Sequence, residues 1–90
     1  MVKRGKLEIM RDVIQIIKRN KNHIKPTPLL RKANISSARF KAYCSELVDR
    51  ALIKEIIEGK NRKYIILTEK GFRFLEKYKT IINFIDEFEL

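Results

Sequence analysis

This chain has little of what enzymes and membrane proteins are built from. Its one cysteine, Cys44, allows no disulfide and no cysteine-based zinc site within one chain. Its one histidine, His23, has no companion ligands and no nucleophile, so a surface role is expected. Three scattered glycines form no phosphate-cradling loop. No stretch approaches the ~18 unbroken apolar residues of a membrane span, and Met1 leads into charge with no signal-peptide core. Catalysis, a cofactor, a metal and a membrane anchor are therefore not expected; a soluble intracellular protein is. Acidic residues are missing in one place in particular, since none occurs between Asp12 and Glu46. That interval holds Lys18, Arg19, Lys21, Lys25, Arg31, Lys32, Arg39 and Lys41.

What is present is positive charge and helical periodicity. Ninety residues with 21 Lys and Arg against 11 Asp and Glu carry a formal +10, which points to a polyanion, nucleic acid before an anionic membrane surface. The charge is uneven. Residues 1–63 hold 17 Lys and Arg against 6 acids, and residues 64–90 hold 4 against 5. The two parts are expected to do different jobs. A charge run also serves simply as a solvated face, but here the acids are absent from one contiguous region.

From Lys6 to about Asn20, Leu7, Met10, Val13, Ile14 and Ile17 recur at helical spacing, with Ile9 and Ile16 widening the face. Ile24 and Lys25, ahead of Pro26, must be extended and suit a short edge strand. Pro26 to Ile53 reads as two helices joined by a tight turn. Thr27 is the expected N-cap of the first, with Pro28 at its first helical position and Asn34 as its stop. Ser36 or Ser37 caps the second, whose apolar residues are Phe40, Tyr43, Cys44, Leu47 and Val48. Ser36, Ser37, Arg39, Lys41, Ala42 and Ser45 then face outward. Its first turn lacks the Asp or Glu that usually complements a helix dipole, a gap that an external anion would fill. Cys44, on the apolar side, is expected in the core.

Ile53 to Glu58 and Lys63 to Leu67 are β-branched runs flanking Gly59, Lys60, Asn61 and Arg62, the pattern of a β-hairpin with a loop of about four residues. Thr68 caps a last helix in which Phe74, Tyr78, Ile81, Ile85 and Phe88 are separated by four, three, four and three residues, as in a coiled-coil seam. Leu75, Ile82 and Phe84 broaden it. A helix so apolar needs something to lie against, either a second copy or its own domain; two heptads of seam favour the homodimer. Arg73, Lys77 and Lys79 lie in its first half and Asp86, Glu87 and Glu89 in its last turns, so antiparallel pairing sets acid beside base.

Helix, short strand, helix, turn, helix and β-hairpin is the order of a winged helix-turn-helix domain. Through KANISSARFKAY, ELVDRALI and YIILTEKGFRFLEKY, which together span nearly the whole chain, the sequence resembles archaeal members of that class. It is similar to the group of PadR- and MarR-like regulators, small coiled-coil-dimerised archaeal chromatin proteins and archaeal viral regulators. The resemblance implies an α+β, mostly helical fold. Residues 1–67 would form the DNA-binding part and 68–90 the dimerisation helix of one compact domain. It also implies double-stranded DNA as partner, the helix after Ser36 in the major groove, and the Gly59 hairpin as the wing. The family's groove-facing positions fall on Ser36, Ser37, Arg39 and Lys41, with Ala42 and Ser45 beside them. Two departures stand out. Ala51 replaces a usual glycine, which would extend the helix end slightly, and the small Ser37 and Ala38 reduce base readout.

The first functional expectation is a homodimeric transcriptional regulator in the cytoplasm, at the nucleoid. Arg39 is the candidate base contact, and Lys25, Arg31, Lys32, Lys41, Lys60, Asn61, Arg62 and Lys63 are candidates for holding the backbone. Phe74, Leu75, Tyr78, Ile81, Ile82, Ile85 and Phe88 are the candidate dimer interface. The alternatives are an architectural chromatin protein of low sequence preference and a winged-helix module that binds other proteins.

Overall fold

The computed structural model describes residues 5–90; the short N-terminal stretch with Lys3 and Arg4, expected from its charge to be a basic arm, lies outside them. Four helices and one hairpin follow in the order α1 (Lys6–Arg19), α2 (Pro26–Ala33), α3 (Ser37–Asp49), β1 (Ile53–Glu58), β2 (Arg62–Leu67) and α4 (Glu69–Glu87). This is the mostly helical α+β class that the sequence suggested.

Helix α1 is central. Ile9, Val13, Ile14 and Ile17 are wholly shielded from water, each contributing about 1.5–3 kcal/mol by burial. Leu7, at the helical spacing of a core residue, is instead half exposed, because nothing among the described residues packs over the outer side of the first turn. Asn20 caps the helix, and Lys21 and Asn22 then take left-handed φ values of 60° and 56° to reverse the chain.

Helix α2 starts two residues earlier than the sequence suggested. Lys25 is the N-cap, held extended at ψ 153°, and Pro26 fixes the first helical φ. Thr27 and Pro28 therefore lie inside the first turn. Asn34 ends the helix in the left-handed region, at φ 55° and ψ 51°. Ser36 caps α3, its Oγ accepting from the Arg39 backbone N–H at 3.3 Å. Phe40, Cys44 and Leu47 point into the core, but Val48 lies largely in solvent beside the hairpin. Helix α3 is not lengthened by Ala51. It ends at Asp49, and Ala51 itself takes the left-handed conformation at φ 60°.

The hairpin pairs Ile53 with Leu67 through Glu58 with Arg62 in antiparallel register. Its loop is three residues, one fewer than expected, because Arg62 already belongs to β2. Gly59 and Asn61 supply the two positive φ values, 60° and 63°. Ile24 joins the sheet as a single bridge, exchanging both backbone hydrogen bonds with Ile65 at 3.2 and 2.7 Å.

Thr68 welds α4 to this framework. Its hydroxyl accepts from the Gly71 N–H at 3.1 Å and lies 2.5 and 3.1 Å from the carbonyl oxygens of Ala51 and Leu52. Lys70 Nζ donates to the Arg50 carbonyl at 3.0 Å, and Gly71 is buried where a Cβ would come within 2.3 Å of the Leu52 oxygen. The LTEKG segment is thus a joint between the exit of α3 and the start of α4. Phe72, Phe74 and Leu75 pack on the core, and the Arg11 guanidinium sits 5.0 Å from the centre of the Tyr78 ring. Beyond Tyr78 the apolar side chains Ile81, Ile82, Phe84 and Phe88 are exposed. The molecule measures 51 × 29 × 22 Å. Among the described residues no helix is long and apolar enough to cross a membrane.

Candidate nucleic-acid interface

The outward face of α3 carries Ser36, Ser37, Arg39, Lys41, Ala42 and Ser45, all exposed. It has this face because the three apolar positions Phe40, Cys44 and Leu47 turn the opposite side inward. No acid lies in the first turn of either α2 or α3, so the positive ends of both helix dipoles are uncompensated by side chains. The Arg39 guanidinium stands 5.9 Å from the centre of the Tyr43 ring, a contact that steers it while leaving its donors open.

Between α2, α3 and the hairpin runs an open groove of about 540 Å³. Ser37, Lys41 and Ser45 line one side of it and Lys63 the other. Lys63 is not a free cation: its Nζ lies 2.9 Å from Glu55 Oε2 on the neighbouring strand. Lys60 and Asn61 form the exposed wing tip, and Arg62 follows on the face opposite Lys63, since side chains alternate along β2. Among the described residues Arg31, Arg39, Lys41, Lys60 and Arg62 have no carboxylate partner. Arg31 and Lys32 occupy the last turn of α2, and Lys32 Nζ donates to Asn20 Oδ1 at 3.2 Å. Lys25 lies 5.8 Å over the Tyr64 ring. The structure therefore gathers Ser37, Lys41, Ser45 and Lys63 around one groove, while Lys32 and Lys25 are engaged with their own neighbours.

The wing is held by contacts that the sequence did not disclose. His23 stacks on Tyr64 with ring centres 3.9 Å apart, and its Nε2 is 2.9 Å from Glu58 Oε1. Asn22 Oδ1 accepts from the Leu67 N–H at 2.6 Å. The lone histidine is thus a strut for the hairpin. Glu46 ties α1 to α3 through Lys6 at 2.6 Å and meets Arg50 at 3.5 Å. The hydrogen bond from Lys6 holds its carboxyl below the usual carboxylate range. The i, i+4 spacing of Glu46 and Arg50 was visible beforehand; the Lys6 partner was not. Burial pushes the Cys44 thiol up to about 11, which fits packing and not thiolate chemistry.

Comparison with known proteins accords with this geometry. The chain is similar to Sso10a-2, a DNA-binding protein from Sulfolobus solfataricus, with a TM-score of 0.77 and 23% identity over 96% of this chain and 86% of that one. It is similar to F93 from STIV, a winged-helix DNA-binding protein, with a TM-score of 0.73 and 19% identity over 89% and 91%. It also resembles MepR, a transcription regulator of the Staphylococcus aureus multidrug efflux pump MepA. There the TM-score is 0.76 and the identity 14%, over 88% of this chain and 59% of that one. Among curated proteins none matches in sequence. A family model described as winged helix-turn-helix matches residues 3–86, nearly the full length, so the chain belongs to the winged helix-turn-helix family.

Proposed function

We propose that this protein is a homodimeric double-stranded DNA-binding protein, most concretely a transcriptional regulator acting at the nucleoid. The observation that carries this reading is the solvent face of α3, where Arg39 and Lys41 stand exposed and, among the described residues, without carboxylate partners beside small hydroxyl side chains. In this reading α3 enters the major groove and Arg39 pairs with guanine through two donors. Lys41, Arg31, Lys60 and Arg62 neutralise phosphates and set the register, with the wing lying on the backbone or in the minor groove. The exposed seam of α4 pairs with the same helix of a second copy, running antiparallel so that the acidic half with Asp86, Glu87 and Glu89 lies beside the basic half with Arg73, Lys77 and Lys79. The DNA-binding descriptions of Sso10a-2 and F93 support the same reading.

A second reading, an architectural protein of low sequence preference, is favoured by one observation: only Arg39 on the α3 face is suited to bidentate base readout, and Ser36, Ser37, Ala42 and Ser45 are small. Duplex binding measured across a salt series separates both readings from a protein-binding module. A dimer that neutralises about eight phosphates gives log K against log salt a slope near −7, and a flat response overturns DNA binding altogether. Competition between a selected duplex and random duplex then decides the role. A large affinity ratio supports the regulator, and a ratio near one supports the architectural protein.

A further inference from the structure

Where the first turns of α1 and α4 meet the end of α3, an apolar recess of about 470 Å³ opens to solvent. Leu7, Met10, Leu52 and Phe74 form its floor and walls, and Leu7 leaves 51% of its surface exposed there. Its rim is cationic. Lys6 and Arg50 share the single carboxylate of Glu46, and among the described residues Lys70 reaches only the Arg50 carbonyl. The far end of α4 has the complementary character. Phe88 and Leu90 are 58% and 78% exposed, and Asp86, Glu87 and Glu89 are interleaved with them.

We propose that this recess seats the far end of α4 from a second copy of the chain, the partner's Phe88 lying against Leu7 and Phe74. The inference rests on the antiparallel dimer proposed above and adds its register and a second contact surface. Phe74 lies seven residues before Ile81 and Phe88 seven after, so an antiparallel pair with Ile81 on the two-fold axis sets the partner's Phe88 opposite Phe74. Steps of seven residues are close to two helical turns, which keeps Phe74, Ile81 and Phe88 on one side of α4. The partner's Asp86, Glu87 and Glu89 then come to the rim that holds Lys6, Arg50 and Lys70. No chain can fill its own recess this way, because fourteen helical residues separate Phe88 from Phe74 by about 21 Å. A two-fold pair fills both recesses at once and closes, which a head-to-tail contact does not. The interface is then more than a two-helix zipper, since α1 and the exit of α3 contribute to each half.

The test is site-directed crosslinking of full-length chains. One chain carries Leu7→Cys and the other Phe88→Cys, both exposed positions; Cys44 stays, being buried with its thiol pushed up to about 11. Mixing under mild oxidant is expected to give a covalent dimer in higher yield than either chain alone, with mass spectrometry locating the bond between the two introduced thiols. Lys70→Glu in the Leu7→Cys chain is expected to cut that yield severalfold. A bond joining two Phe88→Cys chains in preference to the mixed pair overturns the seat and the antiparallel direction. A dimer in sedimentation without the mixed bond overturns the seat and leaves the dimer standing. A chain that sediments as a monomer overturns both.

Discussion

Ala51 closes the turn out of α3 at φ 60°, a conformation in which its Cβ crowds the following carbonyl oxygen. The penalty for an L-residue there is about 1–2 kcal/mol, and glycine escapes it at the expense of about 0.5–1 kcal/mol of extra freedom in the unfolded chain. Ala51→Gly is therefore expected to stabilise the fold by about 0.5–1 kcal/mol, or roughly 3–6 °C in a thermal melt of a chain this size. Gly71 is the opposite case at the other side of the same joint. Its backbone φ is ordinary, but a Cβ would sit 2.3 Å from the Leu52 carbonyl oxygen, so Gly71→Ala is expected to destabilise by about 1–3 kcal/mol in the same measurement. One position lacks the glycine its geometry favours, and the other cannot do without it. A melt that moved in the same direction for both would sink this account of the joint.

At the scale of elements, the helices and strands were legible because their signals are local. Ser36, Thr68 and Asn34 do at their own positions what a cap or a helix stop must do. Pro26 also did so, but its effect on the α2 start was assigned to Pro28, two residues on. The candidate site was legible as a face, since the apolar spacing of Phe40, Cys44 and Leu47 determines which side of α3 looks outward. Its supports were not legible, because they join residues distant in sequence: His23 with Tyr64 and Glu58, Asn22 with Leu67, Lys6 with Glu46. Periodicity also fails to say where a neighbour ends, which is why Leu7 and Val48 share the core's spacing and still meet water. These supports give α3 and the wing separate roles that can be tested apart. Arg39→Ala is expected to cost about 1–3 kcal/mol on a selected duplex and much less on random duplex, flattening preference at one base pair. Lys60→Ala and Arg62→Ala, on a wing braced by His23, are expected to weaken binding to both duplexes alike. Equal losses for Arg39→Ala on the two duplexes would assign Arg39 to the backbone.

At the scale of the whole molecule, two unlike surfaces are joined by one helix. The first half of α4 belongs to the core through Phe72, Phe74 and Leu75, and the second half presents Ile81, Phe84 and Phe88 to water. The same helix that completes the fold therefore proposes the assembly, and the +10 chain would act on DNA as a pair. In the proposed dimer, assembly would have a signature in the salt dependence, because each copy would bring half of the phosphate contacts. Ile81→Glu tests this directly. Ile81 is exposed in the single chain, so the substitution leaves the core untouched, yet across a two-fold axis it sets two carboxylates against each other. The variant is expected to sediment as a monomer with an unchanged circular dichroism spectrum. Its salt slope on duplex DNA should fall from near −7 to about half that, with affinity lowered at every salt concentration. A monomeric variant that kept the full slope would mean that one copy makes all the phosphate contacts, and the dimer would have no part in gripping DNA.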